Sequence, residues 1–160
     1  PRGLGYICST VPDNTIYGGL CRGINSVDWQ IKRGAAHHVA LGNFSVVSGG
    51  ESNSATEDHA VIAGGERNSV TQSHSAVSGG KYNRIAGKYS FIGSGQNNLV
   101  SAADSSIVGG KGNIMLGSYS MIGGGQGNSG AALRLPKFRQ PQQGAEKQGY
   151  LLLYGVPQGL

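Results

Sequence analysis

The middle of the chain repeats one pattern of apolar, small and polar residues every fifteen positions. The stretches "HAVIAGGERN", "HSAVSGGKYN" and "YSFIGSGQNN" correspond position by position. In each repeat a β-branched residue is followed three positions later by glycine and six positions later by asparagine, as in Ile62, Gly65 and Asn68. The β-branched column contains Val47, Ile62, Val77, Ile92, Ile107 and Ile122. Because β-branched residues favour strands, this column predicts a stack of short strands.

The repeat predicts an all-β parallel solenoid, a β-roll with fifteen-residue coils. A helix is excluded because each glycine would cost about 1 kcal/mol in a helix interior, and no apolar stripe recurs at helical spacing. With one repeat per lap, equivalent residues stack about 4.8 Å apart, so each column must tolerate itself as a neighbour. The asparagines are expected to form a structural ladder that caps turn backbone: Asn53, Asn68, Asn83, Asn98, Asn113 and Asn128.

Alternation along the predicted strand separates an inner face from an outer face. Ser45, Val47 and Gly49 are expected to point inward, whereas Phe44 and Val46 point outward. The outward columns are too apolar for a surface that meets only water. They contain the candidate contact residues Phe44, Val46, Val61, Tyr89, Phe91, Tyr119 and Met121. Since one thin coil cannot cover this flank, we expect identical chains to associate as a homotrimer, and the sequence leaves open whether the columns pack subunits or contact a receptor.

Three segments follow from where the repeat holds. Residues 1–43 are expected to form an N-terminal cap with degenerate coils, in which Ile16 and Ile31 continue the β-branched column and Trp29 plugs the open end. Residues 44–128 form the regular repeats, giving about eight coils in all. Residues 129–160 are interpreted as a basic arm or linker rich in proline and glutamine, ending in an apolar run that docks as a strand on another subunit.

Composition and charge narrow the classes of function. Hydrophobic residues make up 38% and charged residues 13% of the chain, with 29 glycines, which is unlike an ordinary enzyme. The net charge is +5, but the basic residues are scattered, so no nucleic-acid partner is expected. No apolar stretch is long enough for insertion into a membrane. Cys8 and Cys21 are a candidate disulfide if neighbouring turns bring them together, and their redox state stays open.

The sequence offers no constellation typical of catalysis or of metal binding. There is no Gly-x-Ser-x-Gly elbow and no recurring carboxylate pair, so no enzyme, catalytic residue or cofactor is expected. A calcium loop is disfavoured because asparagine stands where acidic ligands would be needed. His59 and His74 share a column with Phe44 and Tyr89, which indicates a contact surface rather than a metal site.

The stretch "SVVSGGESNSATEDHAVIAGGERN" and its successors resemble the head domains of trimeric autotransporter adhesins, and related repeat segments in phage and giant-virus fibre proteins. The resemblance covers roughly residues 14–128. It implies a left-handed parallel β-roll, a trimer, and an extracellular place on a cell or virion surface. The doubled glycine and the fifteenth residue of each coil depart from the commonest form of the family.

The expected function is therefore that of a rigid trimeric head or fibre that attaches to a host-surface protein or glycan. A capsid or filament component without receptor binding is the alternative. An ice-binding solenoid is a minor alternative, because such surfaces use ranks of threonine and only Thr56 and Thr71 align here.

Overall fold

The computed structural model describes residues 7–8, 10–130 and 152–153. This part of the chain contains strands of two residues each and no helix. In chain order the strands are β1 (Ile7–Cys8), β2 (Val27–Asp28), β3 (Val46–Val47), β4 (Ser54–Ala55), β5 (Val61–Ile62), β6 (Ser69–Val70), β7 (Ala76–Val77), β8 (Arg84–Ile85), β9 (Phe91–Ile92), β10 (Leu99–Val100), β11 (Ser106–Ile107), β12 (Ile114–Met115), β13 (Met121–Ile122), β14 (Ser129–Gly130) and β15 (Leu152–Leu153).

The strands form two parallel sheets. A nine-stranded sheet has the order β1-β2-β3-β5-β7-β9-β11-β13-β15, and a six-stranded sheet has the order β14-β12-β10-β8-β6-β4. Val47 pairs with Ile62, and Ile62 pairs with Val77, so each lap of the repeat takes fifteen residues. A third column of single bridges runs from Glu51 through Glu66 to Gln126. The predicted parallel solenoid with fifteen-residue coils is confirmed, with about seven coils where eight were expected.

The core is the narrow space between the two sheets. The β-branched column of the nine-stranded sheet, from Val47 to Ile122, is almost fully buried. The facing column of the six-stranded sheet is fully buried as well: Ala55, Val70, Ile85, Val100 and Met115. Small buried serines such as Ser45 and Ser75 let the walls approach closely. The inward prediction therefore holds for Ser45 and Val47, whereas Gly49 lies at a corner and is half-buried.

Each regular lap turns at positions where the backbone adopts positive φ. The glycine column from Gly50 to Gly125 has φ between 85° and 99°, a region that L side chains rarely adopt. Two further columns reach the left-handed region without needing glycine. One, which we call the ring column because most of its members carry rings, has φ of 54–58° at Phe44, His59, His74, Tyr89, Asp104 and Tyr119. The other, the second corner column, has φ of 53–57° at Ser52, Arg67, Tyr82 and Asn97 and continues at Gly112 and Gly127.

These dihedrals correct the predicted position of Phe44. Alternation predicts that Phe44 lies on the outward face of an extended strand, but the strand begins at Val46 and Phe44 lies in the preceding turn. The prediction was wrong because simple alternation assumes extended backbone, and bulky residues rarely occupy the left-handed region. The side chain still points to solvent, and half of its surface is exposed.

The N-terminal laps follow a different register from the one predicted. Val27 pairs with Val46, and Asp28 pairs with Val47, so nineteen residues separate these laps. Lys32 bridges Glu51 at the same offset, whereas Ala40 bridges Ala55 at fifteen. Four additional residues therefore lie between positions 32 and 40. Ile16 and Ile31 are exposed rather than buried in the core column, so the expectation that they continue it was wrong.

A buried ion cluster closes the N-terminal end of the core. Asp28 occupies the core column, and its Oδ2 accepts hydrogen bonds from Arg22 Nε at 3.0 Å and Arg33 Nη2 at 3.2 Å. All three side chains are fully buried. The predicted plug, Trp29, is instead 53% exposed. Because Asp28 takes a core position, alternation directs the next side chain outward.

At the opposite end, the C-terminal strand extends the nine-stranded sheet. Met121 pairs with Leu152, and Ile122 pairs with Leu153. The predicted terminal strand exists, but it docks on its own chain. The rest of the predicted arm, residues 131–151 and 154–160, lies outside the described residues. Near the other terminus, Cys8 and Cys21 are both free thiols, and Cys8 Sγ donates a hydrogen bond to the Thr10 carbonyl at 2.9 Å, so the candidate disulfide is not formed.

Candidate functional site

The ring column stacks four exposed rings on successive laps. The ring centroids of Phe44 and His59 are 5.1 Å apart, those of His59 and His74 are 4.7 Å apart, and those of His74 and Tyr89 are 5.2 Å apart. These distances follow from the strand spacing, because equivalent side chains leave equivalent turns. Asp104 ends the run of rings, and Tyr119 stands beyond it. Tyr89 is 60% exposed, so the stack faces solvent.

The turns that carry the rings are fixed to one another by backbone hydrogen bonds. His59 N donates to Asn43 O at 2.9 Å, and His74 N donates to Asp58 O at 3.2 Å. The Asp58 carboxylate accepts a further hydrogen bond from Asn43 N at 2.8 Å. Each ring therefore projects from a turn that is held by the turn before it. Such pre-organisation lowers the entropy lost when another surface packs on the rings.

A second apolar column runs beside the rings on the nine-stranded sheet. Val46, Val61 and Met121 are half-buried, and Phe91 is 41% exposed. In each lap, the residue of this second column follows the residue of the ring column by two positions. Together the two columns bring all seven predicted contact residues to one flank of the coil. We call this flank, comprising Phe44, Val46, Val61, Tyr89, Phe91, Tyr119 and Met121, the lateral surface.

The asparagine column forms a continuous internal hydrogen-bond ladder. The Oδ1 atom of Asn83 accepts from Asn98 N at 3.1 Å, while Asn83 Nδ2 donates to the carbonyls of Gly79 at 3.0 Å and Gly95 at 2.9 Å. The same bonds recur along the column Asn53, Asn68, Asn83, Asn98, Asn113 and Asn128. The members from Asn53 to Asn113 are buried, so the ladder has a structural role.

Sequence reasoning missed the residues that begin this ladder. Gln30 Oε1 accepts from Asn53 N at 2.8 Å, and Gln30 Nε2 donates to the carbonyls of His38 and Asn53. Gln30 thus takes the place of an asparagine one lap earlier. The alignment of "Ser26-Val27" with "Ser45-Val46" reveals the nineteen-residue lap, but it aligns Gln30 with Gly49 rather than with an asparagine, so no sequence pattern marks Gln30 as the start of the ladder.

Two solvent-accessible lysine–glutamate pairs lie along the bridge column. Lys32 Nζ lies 3.0 Å from Glu51 Oε2, and Lys81 Nζ lies 2.8 Å from Glu66 Oε2. The hydrogen bond from Lys81 lowers the pKa of the Glu66 carboxyl, and the same contact raises the pKa of Lys81. Within the described ranges, no three His, Cys, Asp or Glu side chains come together as a metal site.

Comparisons with known proteins add no family to this description. No protein-family model matches the chain, and no curated protein is detectably similar to it. In the residues that the structure describes, no helix is long and apolar enough to cross a bilayer.

Proposed function

We propose that this chain is a structural attachment module: a rigid β-solenoid that associates side by side, as a trimer, and presents a surface to a host cell or matrix. The observation that carries the proposal is the lateral surface, a row of stacked rings and apolar side chains that no described residue covers completely. An apolar row of this kind favours burial against another protein surface.

The solenoid has the stiffness that such a role needs. Every regular lap is joined to the next through both sheets, through the bridge column and through the asparagine ladder. Bending the rod would separate several hydrogen bonds at once, and each unsatisfied buried group costs about 1 to 3 kcal/mol. The module therefore holds its surface at a fixed distance and orientation.

The ends of the solenoid leave the alternative of a filament component in place. The Arg22, Asp28 and Arg33 cluster fills the N-terminal end of the core. Both sheets still end in edge strands, β1 and β15 in one and β4 and β14 in the other. An open strand edge permits end-to-end growth, so the test below also looks for filaments.

The test replaces the outermost rings of the lateral surface. Tyr89→Ser and Tyr119→Ser are combined and compared with Tyr17→Ser, which removes an exposed tyrosine from the N-terminal cap. Light scattering gives the number of subunits, and binding to cultured cells gives attachment. We expect wild type and the Tyr17 variant to be trimers that attach, whereas the double variant becomes monomeric or stays trimeric without attaching.

The two supporting outcomes separate the roles of the rings. A monomer assigns them to subunit packing, and a trimer that no longer attaches assigns them to recognition. The proposal is overturned if the double variant keeps both properties, or if wild type forms end-to-end filaments in electron micrographs and attaches to nothing.

A further inference from the structure

An open groove of about 460 Å³ lies over the N-terminal half of the six-stranded sheet. Its floor is made by the outward residues of β4, β6 and β8, which include Ser54, Ser69 and Arg84. Its walls include His37 and His38, which belong to the segment with four additional residues. The groove faces away from the nine-stranded sheet, so association through the lateral surface leaves it open.

The groove is basic and contains no carboxylate among its lining residues. Arg67 and Arg84 reach it from consecutive laps, and neither makes an ion pair with a described residue. Arg67 is held in place because its Nη1 donates to the Tyr82 hydroxyl at 2.7 Å, with the guanidinium 5.5 Å from the ring centroid. Two carboxylates of the bridge column, those of Glu51 and Glu66, are each paired with a lysine.

Hydroxyl groups of the groove are arranged as acceptors. The Ser54 hydroxyl donates to the His37 carbonyl at 3.0 Å, and the Thr71 hydroxyl donates to the Ile85 carbonyl at 3.1 Å. Thr56 makes a similar, longer bond to the Val70 carbonyl. Since each hydroxyl has already used its proton, its oxygen presents lone pairs to a ligand. At the inner wall, the buried Ser52 hydroxyl has no hydrogen-bond partner among the described residues.

His38 adds a donor whose charge responds to pH. Its Nδ1 accepts a hydrogen bond from Gly34 N at 3.2 Å, so in the neutral ring the proton lies on Nε2. Burial lowers the pKa of His38, and the positive charges of His37 and Arg67 lower it further. A bound anion would offset that repulsion and favour the protonated ring.

We propose that this groove binds an acidic saccharide, a chain of sugars that carries carboxylate or sulfate groups. The two guanidinium groups would meet the acidic groups through charge-assisted hydrogen bonds, and the serine and threonine oxygens would accept from sugar hydroxyls. The inference deepens the proposed attachment role, on which it rests, by naming the chemistry of the attached surface.

A nucleic acid fits the groove less well. Single-stranded nucleic acids gain affinity by stacking bases on open aromatic rings. The tyrosine of the groove is Tyr82, and the cations of Arg67 and Lys81 already lie 5.5 Å and 5.2 Å from its ring centroid. Hydroxyl acceptors beside two guanidinium groups match a sugar acid better than a stacked base.

The test measures binding of the full chain to four probes by isothermal titration calorimetry. The probes are a sulfated heparin oligosaccharide, an oligogalacturonate, neutral dextran and a thymidine oligonucleotide. We expect one or both acidic saccharides to bind and dextran to fail, with affinity falling as salt is raised. Preference between the first two probes identifies sulfate or carboxylate. Equal or tighter binding of the oligonucleotide would overturn the proposal.

Variants locate the site on the groove. Arg67→Gln should weaken acidic saccharide binding about tenfold or more, because a charge-assisted hydrogen bond is lost. Arg67→Lys keeps the charge but not the planar fork and should recover part of the affinity. Lys88→Gln removes the same charge from an exposed position outside the groove and should change affinity less than about twofold. Equal loss in the Lys88 variant would place binding on general charge and refute the site.

A pH series supplies a separate readout. Binding should strengthen from about pH 7.5 to about pH 5.5 as the ligand promotes protonation of His38, and His38→Gln should weaken this dependence. Failure of every acidic probe sinks this inference alone. The attachment role would then still be decided by the Tyr89 and Tyr119 variants, because these residues lie outside the groove, in turns that lead into the nine-stranded sheet.

Discussion

At the scale of single residues, the fold depends on side chains that serve the backbone. The glycine column fits because a Cβ there would collide with the next lap, and the asparagine column fits because each amide satisfies backbone groups that water cannot reach. Both columns were readable from the sequence, since an identical residue every fifteen positions requires a shared local reason. The ring column was also read from the sequence, but its left-handed backbone was not, because aromatic residues rarely occupy that region.

Gly80→Ala should destabilise the protein strongly, and Gly79→Ala should not. A Cβ at Gly80 would lie 2.1 Å from the Gly95 carbonyl oxygen, at φ of +88°, whereas a Cβ at Gly79 would meet nothing within 4 Å. We expect a loss of about 2 kcal/mol or more for the first variant from backbone strain and the collision. Thermal melting followed by circular dichroism would check the pair, and equal melting temperatures would contradict the corner geometry.

Asn83→Ala should remove one rung of the ladder. The change leaves the Asn98 amide and the carbonyls of Gly79 and Gly95 without their side-chain partner inside the protein. We expect a loss of about 2 to 4 kcal/mol, measured by chemical denaturation. Ser78→Ala, at an exposed position, is the control and should stay close to wild type. A silent Asn83 variant would show that water replaces the amide.

At the scale of elements, the regular laps were predictable and the N-terminal cap was not. Ile16 and Ile31 are fifteen residues apart, and so are Gly19 and Gly34, so the sequence suggests a regular lap where the structure has a longer one. The nineteen-residue lap places Asp28 in the core. Its buried charge is compensated by Arg22 and Arg33, which lie six residues before it and five residues after it. The local sequence pattern does not show that these residues pair. The groove was missed for the same reason, since it is assembled from separate laps.

Asp28→Asn should unfold the cap more readily than any surface change. It would leave the two buried guanidinium groups of Arg22 and Arg33 without a counter-charge, at an expected cost of about 3 to 5 kcal/mol. Glu51→Gln, which breaks the exposed pair with Lys32, should cost less than about 1 kcal/mol. Hydrogen exchange of residues 22–40 would report local opening, and comparable exchange in both variants would contradict the role of the cluster.

At the scale of the whole molecule, stability is spread along the axis. Each lap contacts mainly the laps before and after it, so the laps behave as near-equivalent units. The sequence predicted this architecture because each column tolerates itself as a neighbour. It did not determine how many chains assemble, because the same exposed row suits packing and recognition.

Deleting one complete lap, residues 76–90, should leave a shorter folded solenoid. The columns rejoin in register, because Ala76 and Phe91 are paired equivalents. Small-angle scattering should show a rod about 4.8 Å shorter with unchanged strand content. Deleting residues 77–90, one fewer, leaves Ala76 as an extra residue inside the strand before Phe91, which disrupts the inward and outward alternation there and should lower the melting temperature further. Equal behaviour of the two deletions would contradict the fifteen-residue lap.

The two columns of left-handed corners accept a wide variety of side chains. Phenylalanine, histidine, tyrosine and aspartate share one, while serine, arginine, tyrosine, asparagine and glycine share the other, all on nearly the same backbone shape. At the exposed corners, which exclude the buried Ser52, substitution therefore alters what the exterior displays without repacking the core beneath. Such a chain can acquire new binding specificity one rung at a time, with no need to evolve a new scaffold.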